Sequence, residues 1–310
     1  MVRVDRLFTQ IFMDMMAGHQ DRGFFRAIGS RPESKKEEVG PTAQNDSAFV
    51  GSIPQLYDEH MGALLFAPYA RDVAKRLSDM KTGELLETAA GTGIVTEALA
   101  TGLAPAVRIT ATDLNQPMLD HAAKRPGVAR VHFKQADAQA LPFADDSFDA
   151  VICQFGVMFF PDKLQAFREA RRVLKPEGRF VFSVWDRIDT IPVIEAAVVA
   201  LRRRHPKHPT WFMERVPCGY HDEKRISADL KAAGFDDCVI ETVALEGGAP
   251  DARGPALGMC QGSPLGAEIE SIEPGGLQAA TEAVAAAIAE RFGKGPFKGP
   301  LQALVVEARK

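Results

Sequence analysis

Residues 83–100, GELLETAAGTGIVTEALA, decide the fold of this 310-residue chain. An apolar run ends in the acid Glu87, a loop of small residues follows at 89–93, and a helical pattern begins after that loop. A strand, a tight loop and a helix in this order can cradle a nucleotide. The small residues let the ligand approach, and the helix N-terminus presents backbone N–H groups to it. The stretch therefore predicts a nucleotide site and leaves open which nucleotide it holds.

The sequence on both sides of this loop alternates strand patterns with helical patterns at short spacings. Seven strands are predicted, at GELLETA, VRITATD, RVHFKQAD, FDAVICQF, RFVFSVWD, CVIETVAL and LQALVVEARK. Such alternation predicts an α/β protein with a doubly wound, mostly parallel seven-stranded sheet covered by helices on both faces. The alternation of strand and helix patterns is interrupted at about 187–221 and 247–297. We interpret these two segments as helical insertions between the late strands of a single domain.

The ends of the folded region follow from composition. Residues 1–48 contain a polar stretch marked by proline and glycine, which predicts a flexible or loosely docked N-terminal leader. We expect the domain to occupy residues 49–310, with its cofactor-binding half at 80–186.

Composition also excludes several classes of partner. Lys plus Arg number 37 against 41 Asp plus Glu, a net charge of −4 that offers no basic footprint for nucleic acid. The four cysteines form no C-x-x-C pair, which argues against structural zinc and disulfides and favours a cytoplasmic location. No apolar run approaches the roughly 18 residues that a membrane span needs. We therefore predict no metal site, no nucleic-acid partner and no membrane span.

The loop itself narrows the choice of nucleotide. A phosphate-binding P-loop would continue with Lys-Ser or Lys-Thr, which is absent after Gly93. The dinucleotide pattern G-x-G-x-x-G fails at its third glycine, where Thr96 stands. The carboxylate of Glu87 would repel a diphosphate and suits a ligand with an ammonium group. S-adenosylmethionine has an ammonium group and no phosphate, so it fits better than NAD.

Two further acids follow the next two strands. Asp113 closes the second strand and is placed to bridge the two hydroxyls of a ribose, a role that NAD and S-adenosylmethionine sites share. Asp137 with Ala138 follows the third strand and suits an adenine ring. Open α/β sheets bind ligands at the carboxyl ends of their strands, so the three acids together predict one site there.

Together these residues resemble the class I S-adenosylmethionine-dependent methyltransferases, closest to the small-molecule branch that includes ubiquinone and menaquinone biosynthesis methyltransferases. The resemblance rests on LLETAAGTGIVTEAL, ITATDLNQPMLDHA, FKQADAQALPFADDSFDAVICQFGVMFFPD and EARRVLKPEGRFVFSVWD, and covers about residues 50–186. It implies a Rossmann-like methyltransferase fold. The cofactor-binding residues that it implies are Glu87, Ala89, Ala90, Gly91, Gly93, Asp113, Leu114, Met118, Asp137, Ala138, Gln154 and Phe155. Ala89 departs from the family pattern, which usually has a glycine there.

The expected function is methyl transfer from S-adenosyl-L-methionine to a small, apolar or aromatic acceptor. Such a transfer is an in-line displacement, so alignment supplies most of the acceleration. A general base is needed only where the acceptor must lose a proton, and the sequence shows no catalytic dyad. Tyr57, His60, Trp185 and His221 are the candidates for the acceptor side.

Two other functions stay open from the sequence, together with the oligomeric state. The chain fits a catalytically silent, cofactor-binding regulatory protein that uses the C-terminal insertion as an interaction surface. An NAD-dependent oxidoreductase is the third hypothesis. A homodimer is a further expectation, and the identity of the methyl acceptor is not specified by these motifs.

Overall fold

The computed structural model describes residues 53–310, and the expected leader at 1–48 lies outside these described residues. The helices are α1 (Ile53–Met61), α2 (Ala67–Arg76), α3 (Ile94–Gly102), α4 (Gln116–Ala122), α5 (Lys163–Val173), α6 (Pro192–Arg204), α7 (Phe212–Arg215), α8 (Glu223–Ala232), α9 (Arg253–Gln261), α10 (Leu265–Ile272) and α11 (Leu277–Phe292). The strands are β1 (Gly83–Glu87), β2 (Val107–Asp113), β3 (Val131–Gln135), β4 (Phe148–Gln154), β5 (Leu174–Trp185), β6 (Cys238–Ala249) and β7 (Phe297–Arg309).

The strands form one seven-stranded sheet in the order β3-β2-β1-β4-β5-β7-β6. β1 to β5 pair in parallel, and β7 runs antiparallel to both of its neighbours, β5 and β6. The central strands carry apolar side chains that are buried under helices on both faces, as the alternation predicted. The predicted α/β, doubly wound, mostly parallel seven-stranded sheet is confirmed.

The point at which the strand order reverses determines where the site lies in the sheet. The order changes direction between β1 and β4, so the loops after these two strands diverge and leave a crevice at their carboxyl ends. Gly83 pairs with Val107, and Leu85 pairs with Ala150, which brings the ends of β1, β2 and β4 to the same edge. The acids predicted at strand ends therefore meet at one edge.

The two predicted insertions are helical. The first follows β5 and contains α6 and α7; the second separates β6 from β7 and contains α9, α10 and α11. Glu268 of α10 joins them, since its carboxylate pairs with His208 at 3.0 Å and with Arg215 at 2.5 Å and accepts the Phe212 backbone N–H at 2.8 Å. Helix α1 packs on α9 of the second insertion. We call α1 and the helices of the two insertions the helical cap.

Helix α2 begins after an irregular turn. Residues Gly62–Phe66 form a π-helical segment, and Pro68 lies in the first turn of α2, where its missing N–H costs no hydrogen bond. The irregular segment thus ends just before Pro68. Across residues 53–310, no helix combines the length and the apolar character that crossing a bilayer would require.

Candidate functional site

A cavity of about 330 Å³ opens at the carboxyl ends of β1, β2 and β4. Its walls come from the loops that follow these strands, from α1 and from the segment after β3. The residues lining it are Tyr57, Phe66, Glu87, Ala89, Ala90, Gly91, Thr92, Ile94, Val95, Asp113, Leu114, Asn115, Met118, Ala136, Asp137, Ala138, Gln139, Gln154, Phe155, Gly156, Phe159, Phe160 and Pro161. Eleven of the twelve predicted cofactor-binding residues lie in this wall, and the exception is Gly93.

Glu87 ends β1 with its side chain almost completely buried, 2% exposed. Thr96 of α3 donates its hydroxyl to the Glu87 carboxylate at 2.7 Å. Burial raises the pKa of Glu87 to about 8, against the opposing effect of the Thr96 hydrogen bond. A buried carboxyl group without a cation is costly to ionise, so the cavity contains an acid that gains strongly from a positively charged ligand.

The loop between β1 and α3 takes conformations that small residues favour. Ala89 has φ +51°, the left-handed region in which glycine is the common residue, and Gly91 has φ +56°. The departure from the family pattern at Ala89 is therefore accommodated with the backbone geometry of a glycine. Gly93 caps α3 with φ +83° and faces away from the cavity, since a Cβ there would lie 2.7 Å from the Cβ of Ala122. The missing side chain thus allows close packing of the loop on α4, and a contact of Gly93 with the ligand stays a prediction.

Asp113 is held in place by the loop it faces. Its carboxylate accepts the Gly91 backbone N–H at 2.9 Å and the Asn115 backbone N–H at 2.8 Å. Burial raises the pKa of Asp113, and those backbone hydrogen bonds oppose the rise. The Asn115 side-chain amide also donates to Oδ1 of Asp113 at 3.4 Å. The carboxylate is thus oriented, and its Oδ2, which accepts from Gly91, can still accept from a ligand hydroxyl.

The far end of the cavity suits a flat apolar ring. Leu114 is 50% exposed and Met118 is buried next to it, and both line the wall. Asp137 and Ala138 lie opposite, with the Asp137 carboxylate fixed by the Gln139 backbone N–H at 2.8 Å. An exposed leucine beside a fixed carboxylate offers one apolar and one hydrogen-bonding surface, the combination that a purine ring uses.

The segment after β4 forms the wall that faces the loop. The Gln154 side-chain amide donates to the Phe66 carbonyl at 3.1 Å, which fixes its orientation. Its carbonyl oxygen is buried and has no hydrogen-bond partner among the described residues. Phe155 has φ +52°, an uncommon conformation for a bulky residue and one that recurs at functional sites. An orphaned acceptor beside a strained backbone is a plain signal that a donor belongs in this cavity.

The charge of the wall discriminates between ligands. Glu87, Asp113 and Asp137 line the cavity, and the set of described residues lining it contains no Lys, Arg or His. A dinucleotide would place a doubly charged pyrophosphate beside these acids, and no cation in the lining would offset its charge. A nucleoside that carries positive charge and no phosphate meets complementary charge instead.

A second, smaller chamber of about 40 Å³ adjoins the cavity and shares Tyr57, Phe66, Phe155 and Phe159 with it. The remaining walls come from both insertions and from α1: Met61, Leu65, Met158, Trp185, Ile194, Phe212, Met213, Pro217, Met259 and Ser263. None of the residues lining this chamber is Asp, Glu, His, Lys or Arg. The chamber is thus an apolar space lined by aromatic and methionine side chains, entered from the main cavity.

Two of the four acceptor-side candidates, Tyr57 and Trp185, line the spaces described above. Tyr57 lines both spaces, stacked on Phe66 with ring centroids 4.8 Å apart, and burial raises its pKa. Trp185 lines the chamber, stacked on Phe155 at 3.8 Å.

His60 and His221 line neither space. His60 lies at the packing surface between α1 and α9, near Gly258, because it falls on the α1 face that points to the cap. His221 is hydrogen-bonded through Nδ1 to the Cys218 carbonyl at 2.8 Å. A role of either histidine on the acceptor side stays a prediction.

Several residues of the site lie beyond what the sequence motifs indicated. In the sequence, Thr96 drew attention only because it stands where the dinucleotide pattern requires a glycine. In the structure, its hydroxyl donates the hydrogen bond to Glu87. Phe66 precedes β1 by many residues, and only its place in a helical pattern before the motif hinted at contact with the site. Gly156 stands next to the predicted Gln154 and Phe155, and its glycine character was the available signal.

Comparison with known proteins places this site in a family. Residues 86–182 match the family model described as a methyltransferase domain. This match covers less than half of the chain, and it confirms the resemblance to methyltransferases seen in the motifs. The matched segment contains most of the residues lining the main cavity.

The curated relatives agree on the chemistry of this domain. The chain is 40% identical over 105 residues to a demethylmenaquinone methyltransferase of Lactobacillus johnsonii, covering 32% of this chain and 43% of that protein. It is 34% identical over 163 residues to a demethylmenaquinone methyltransferase of Clavibacter sepedonicus, covering 49% and 64% respectively. These matches span about half the length of the relatives.

Solved structures show the same fold. The YcgJ protein of Bacillus subtilis superposes with a TM-score of 0.50 at 22% identity, covering 78% of this chain and 98% of that one. Phosphoethanolamine N-methyltransferase 2 of Haemonchus contortus, solved with S-adenosyl-L-methionine, gives 0.53 at 19% identity, covering 83% and 56%. At these identities the likeness establishes the fold alone.

Proposed function

Because residues 86–182 match a methyltransferase domain, we propose that the chain binds S-adenosyl-L-methionine in the main cavity and methylates a small, apolar or aromatic acceptor. The observation that carries this proposal is the charge of the cavity wall, with three carboxylates and no cation among its described residues. The cofactor has an ammonium group, a sulfonium and a ribose, and it lacks phosphate. The demethylmenaquinone methyltransferases among the relatives support a small-molecule acceptor.

The residues present fit this cofactor group by group. Glu87 and the orphaned Gln154 carbonyl oxygen would accept from the ammonium group, while Ala89 and Gly91 allow the chain to approach it. Asp113 would accept from the ribose hydroxyls, and Leu114, Met118, Asp137 and Ala138 would enclose the adenine. Every one of these residues already lines the cavity, so binding needs no rearrangement of the described backbone.

When bound, the cofactor supplies an electrophilic methyl group on sulfur. The contribution of this chain is to align the acceptor with that group and to exclude water, which suffices for much of the acceleration in a displacement reaction. Phe155 and Tyr57 lie at the junction of the two spaces, where the methyl group and the acceptor meet. Their rings close the junction on two sides.

The acceptor chamber sets the chemistry of the second substrate. A space of about 40 Å³ holds roughly three water-sized groups, which suits the reacting end of a compact molecule. The polar side-chain groups of its lining are the hydroxyls of Tyr57 and Ser263 and the indole N–H of Trp185. Burial raises the pKa of Tyr57, so it stays protonated and acts as a donor. We infer that the acceptor brings a nucleophile that needs no base from the chamber wall.

Location and assembly complete the proposal. All four cysteines are free thiols, at Cys153, Cys218, Cys238 and Cys260, which fits the reducing cytoplasm as the place of action. The homodimer expected from the sequence stays a prediction, as does the domain boundary at residue 49.

Calorimetry with S-adenosylhomocysteine tests the proposal. We expect the wild-type protein to bind it and Asp113→Asn to bind at least about tenfold more weakly, because hydrogen bonds to a charged group are lost. Asp120→Asn is the matched control, since Asp120 bonds only Gln116 of its own helix at the surface. Binding of NADH without binding of S-adenosylhomocysteine would overturn the proposal in favour of the oxidoreductase. A screen of small aromatic acceptors with methyl-labelled cofactor then identifies the substrate.

A further inference from the structure

A cluster of polar and charged side chains, among which Thr92 alone lines the main cavity, ties α1 to the cofactor loop. Asp58, the neighbour of Tyr57 on α1, accepts the Thr92 hydroxyl at 2.9 Å and forms an ion pair with Arg125 through the same oxygen. Its other oxygen lies 3.3 Å from Nε2 of His121. We call Asp58, Thr92, Glu97, His121 and Arg125 the Asp58 cluster. None of the predicted site residues belongs to it.

Arg125 is the centre of this cluster. Its Nε donates to the Thr92 carbonyl at 2.6 Å, and one terminal nitrogen donates to Glu97 of α3 at 2.8 Å. Thr92 lies between the two glycines of the cofactor loop and lines the main cavity. Both polar groups of this loop residue, its carbonyl and its hydroxyl, are thus bonded to the cluster and not to the cavity.

Gly93 makes the arrangement possible. A Cβ at this position would lie 2.7 Å from the Cβ of Ala122 and 3.3 Å from Cδ of Arg125. The glycine therefore opens the path by which the Arg125 side chain reaches Thr92. This assigns Gly93 a reason to be glycine that is independent of contact with a ligand.

Helix α1 has few other connections to the cofactor-binding half. It continues through the π-helical segment into α2 and packs on α9 of the second insertion. Its link to the cofactor loop runs through Asp58, whose side chain is 23% exposed against 17% for Arg125. Partial burial makes such a pair stronger than an ordinary surface ion pair.

We propose that Asp58 is a positioning residue, which through Arg125 and Thr92 holds α1, and with it Tyr57, across the junction of the cofactor and acceptor spaces. This inference rests on the proposed function for the identity of the ligand. Tyr57 lines both spaces, and Met61 at the end of α1 lines the acceptor chamber, so displacement of α1 opens both. Because α1 is fixed to the cofactor loop, the chamber is closed only while that loop is well ordered.

The test compares Asp58→Asn with a matched variant elsewhere. Asp72→Asn removes the carboxylate of the Asp72–Arg76 pair on α2, where each side chain is 22% exposed and neither lines the main cavity or the acceptor chamber. Hydrogen exchange of the full chain measures the amides of residues 53–61 directly. We expect these amides to exchange faster in Asp58→Asn than in wild type and in Asp72→Asn, with a similar fall of thermal midpoint in both variants.

The second measurement is the dissociation of S-adenosylhomocysteine. We expect Asp58→Asn to raise Kd about tenfold, mainly through a faster off-rate, because hydrogen bonds to a charged group are broken. Arg125→Gln should give a similar increase, and the double variant should exceed either single variant by less than twofold, since both changes break one contact. Asp72→Asn should stay within twofold of wild type.

Each outcome decides a separate point. Unchanged exchange of residues 53–61 in Asp58→Asn would show that the cluster does not hold α1. Faster exchange with an unchanged Kd would show that α1 does not cover the ligand, and additive effects of Asp58→Asn and Arg125→Gln would show that they do not act together. Failure of wild type to bind S-adenosylhomocysteine would refute the proposed function, and the exchange comparison would still decide whether Asp58 fixes α1.

Discussion

Replacement of Glu87 by glutamine should change how stability depends on pH. The side chain is 2% exposed, and burial raises its pKa from 4.5 to about 8. One pKa unit corresponds to about 1.4 kcal/mol. Ionising this carboxyl therefore costs about 5 kcal/mol more in the folded protein than in the unfolded chain. Glutamine keeps the shape and accepts the Thr96 hydroxyl without carrying a charge.

The sign of the effect follows from proton binding. Between pH 4.5 and 8 the unfolded chain loses the proton of Glu87 while the folded chain keeps it, so the contribution of this group to stability falls as the pH rises. Integration from pH 5 to pH 8 gives a loss of about 3 to 4 kcal/mol that the glutamine variant avoids. The free energy of unfolding of wild type minus that of Glu87→Gln should fall by this amount over the window.

Urea unfolding at pH 5, 6, 7 and 8 measures this difference. Glu84→Gln is the matched control, because Glu84 lies on the same strand and pairs with Arg108 at the surface. Its difference from wild type should not follow the same window. If the free energies of unfolding of wild type and Glu87→Gln run parallel from pH 5 to pH 8, Glu87 is not held protonated by burial, which would contradict this prediction.

Three further predictions concern residues around the same acid. Thr96→Val should destabilise the protein by about 1–3 kcal/mol in urea unfolding, since the buried Glu87 loses its hydrogen bond, and unchanged stability would contradict this. Gly156→Ala should cost about 1–3 kcal/mol, because its Cβ would lie 2.5 Å from the Cβ of Ala89, and adding Ala89→Gly should restore part of the loss; full additivity would contradict the contact. Burial raises the pKa of the Cys153 thiol to about 12, so mass spectrometry should find it unmodified by iodoacetamide in the folded protein at pH 8 and modified after denaturation.

The fold followed from the sequence because its signals are local. Strand patterns such as ITATD and AVICQ are rich in β-branched residues and end in polar residues, which marks both their type and the edge at which they finish. The acids Glu87, Asp113 and Asp137 inherit their location from those strand ends, so their meeting at one cavity was predictable. The insertions were visible as a loss of strand rhythm.

The acceptor side depends on contacts that no local pattern encodes. Asp58 pairs with Arg125 across 67 residues, and nothing in either segment indicates the other. Helical periodicity gave no basis for choosing between Tyr57 and His60, which lie three residues apart on α1 yet face different neighbours. The position of a side chain on a cap helix is set by how whole helices pack, and that packing is decided by the tertiary structure.

The two departures from glycine in the loop have one physical explanation each, and both concern the ligand. Thr96 stands where a dinucleotide site places its third glycine, and its hydroxyl is the donor that a buried carboxylate at Glu87 requires. The acid that excludes a diphosphate and the residue that breaks the dinucleotide pattern are therefore parts of the same arrangement. Ala89 stands where the family has its first glycine, and the missing space is recovered from the opposite wall. A Cβ on Gly156 would lie 2.5 Å from that of Ala89, so a glycine in the segment after β4 leaves room for the Ala89 side chain. A position-by-position comparison with the motifs counts Thr96 and Ala89 as mismatches. The contacts show that each is compensated by a residue that it touches.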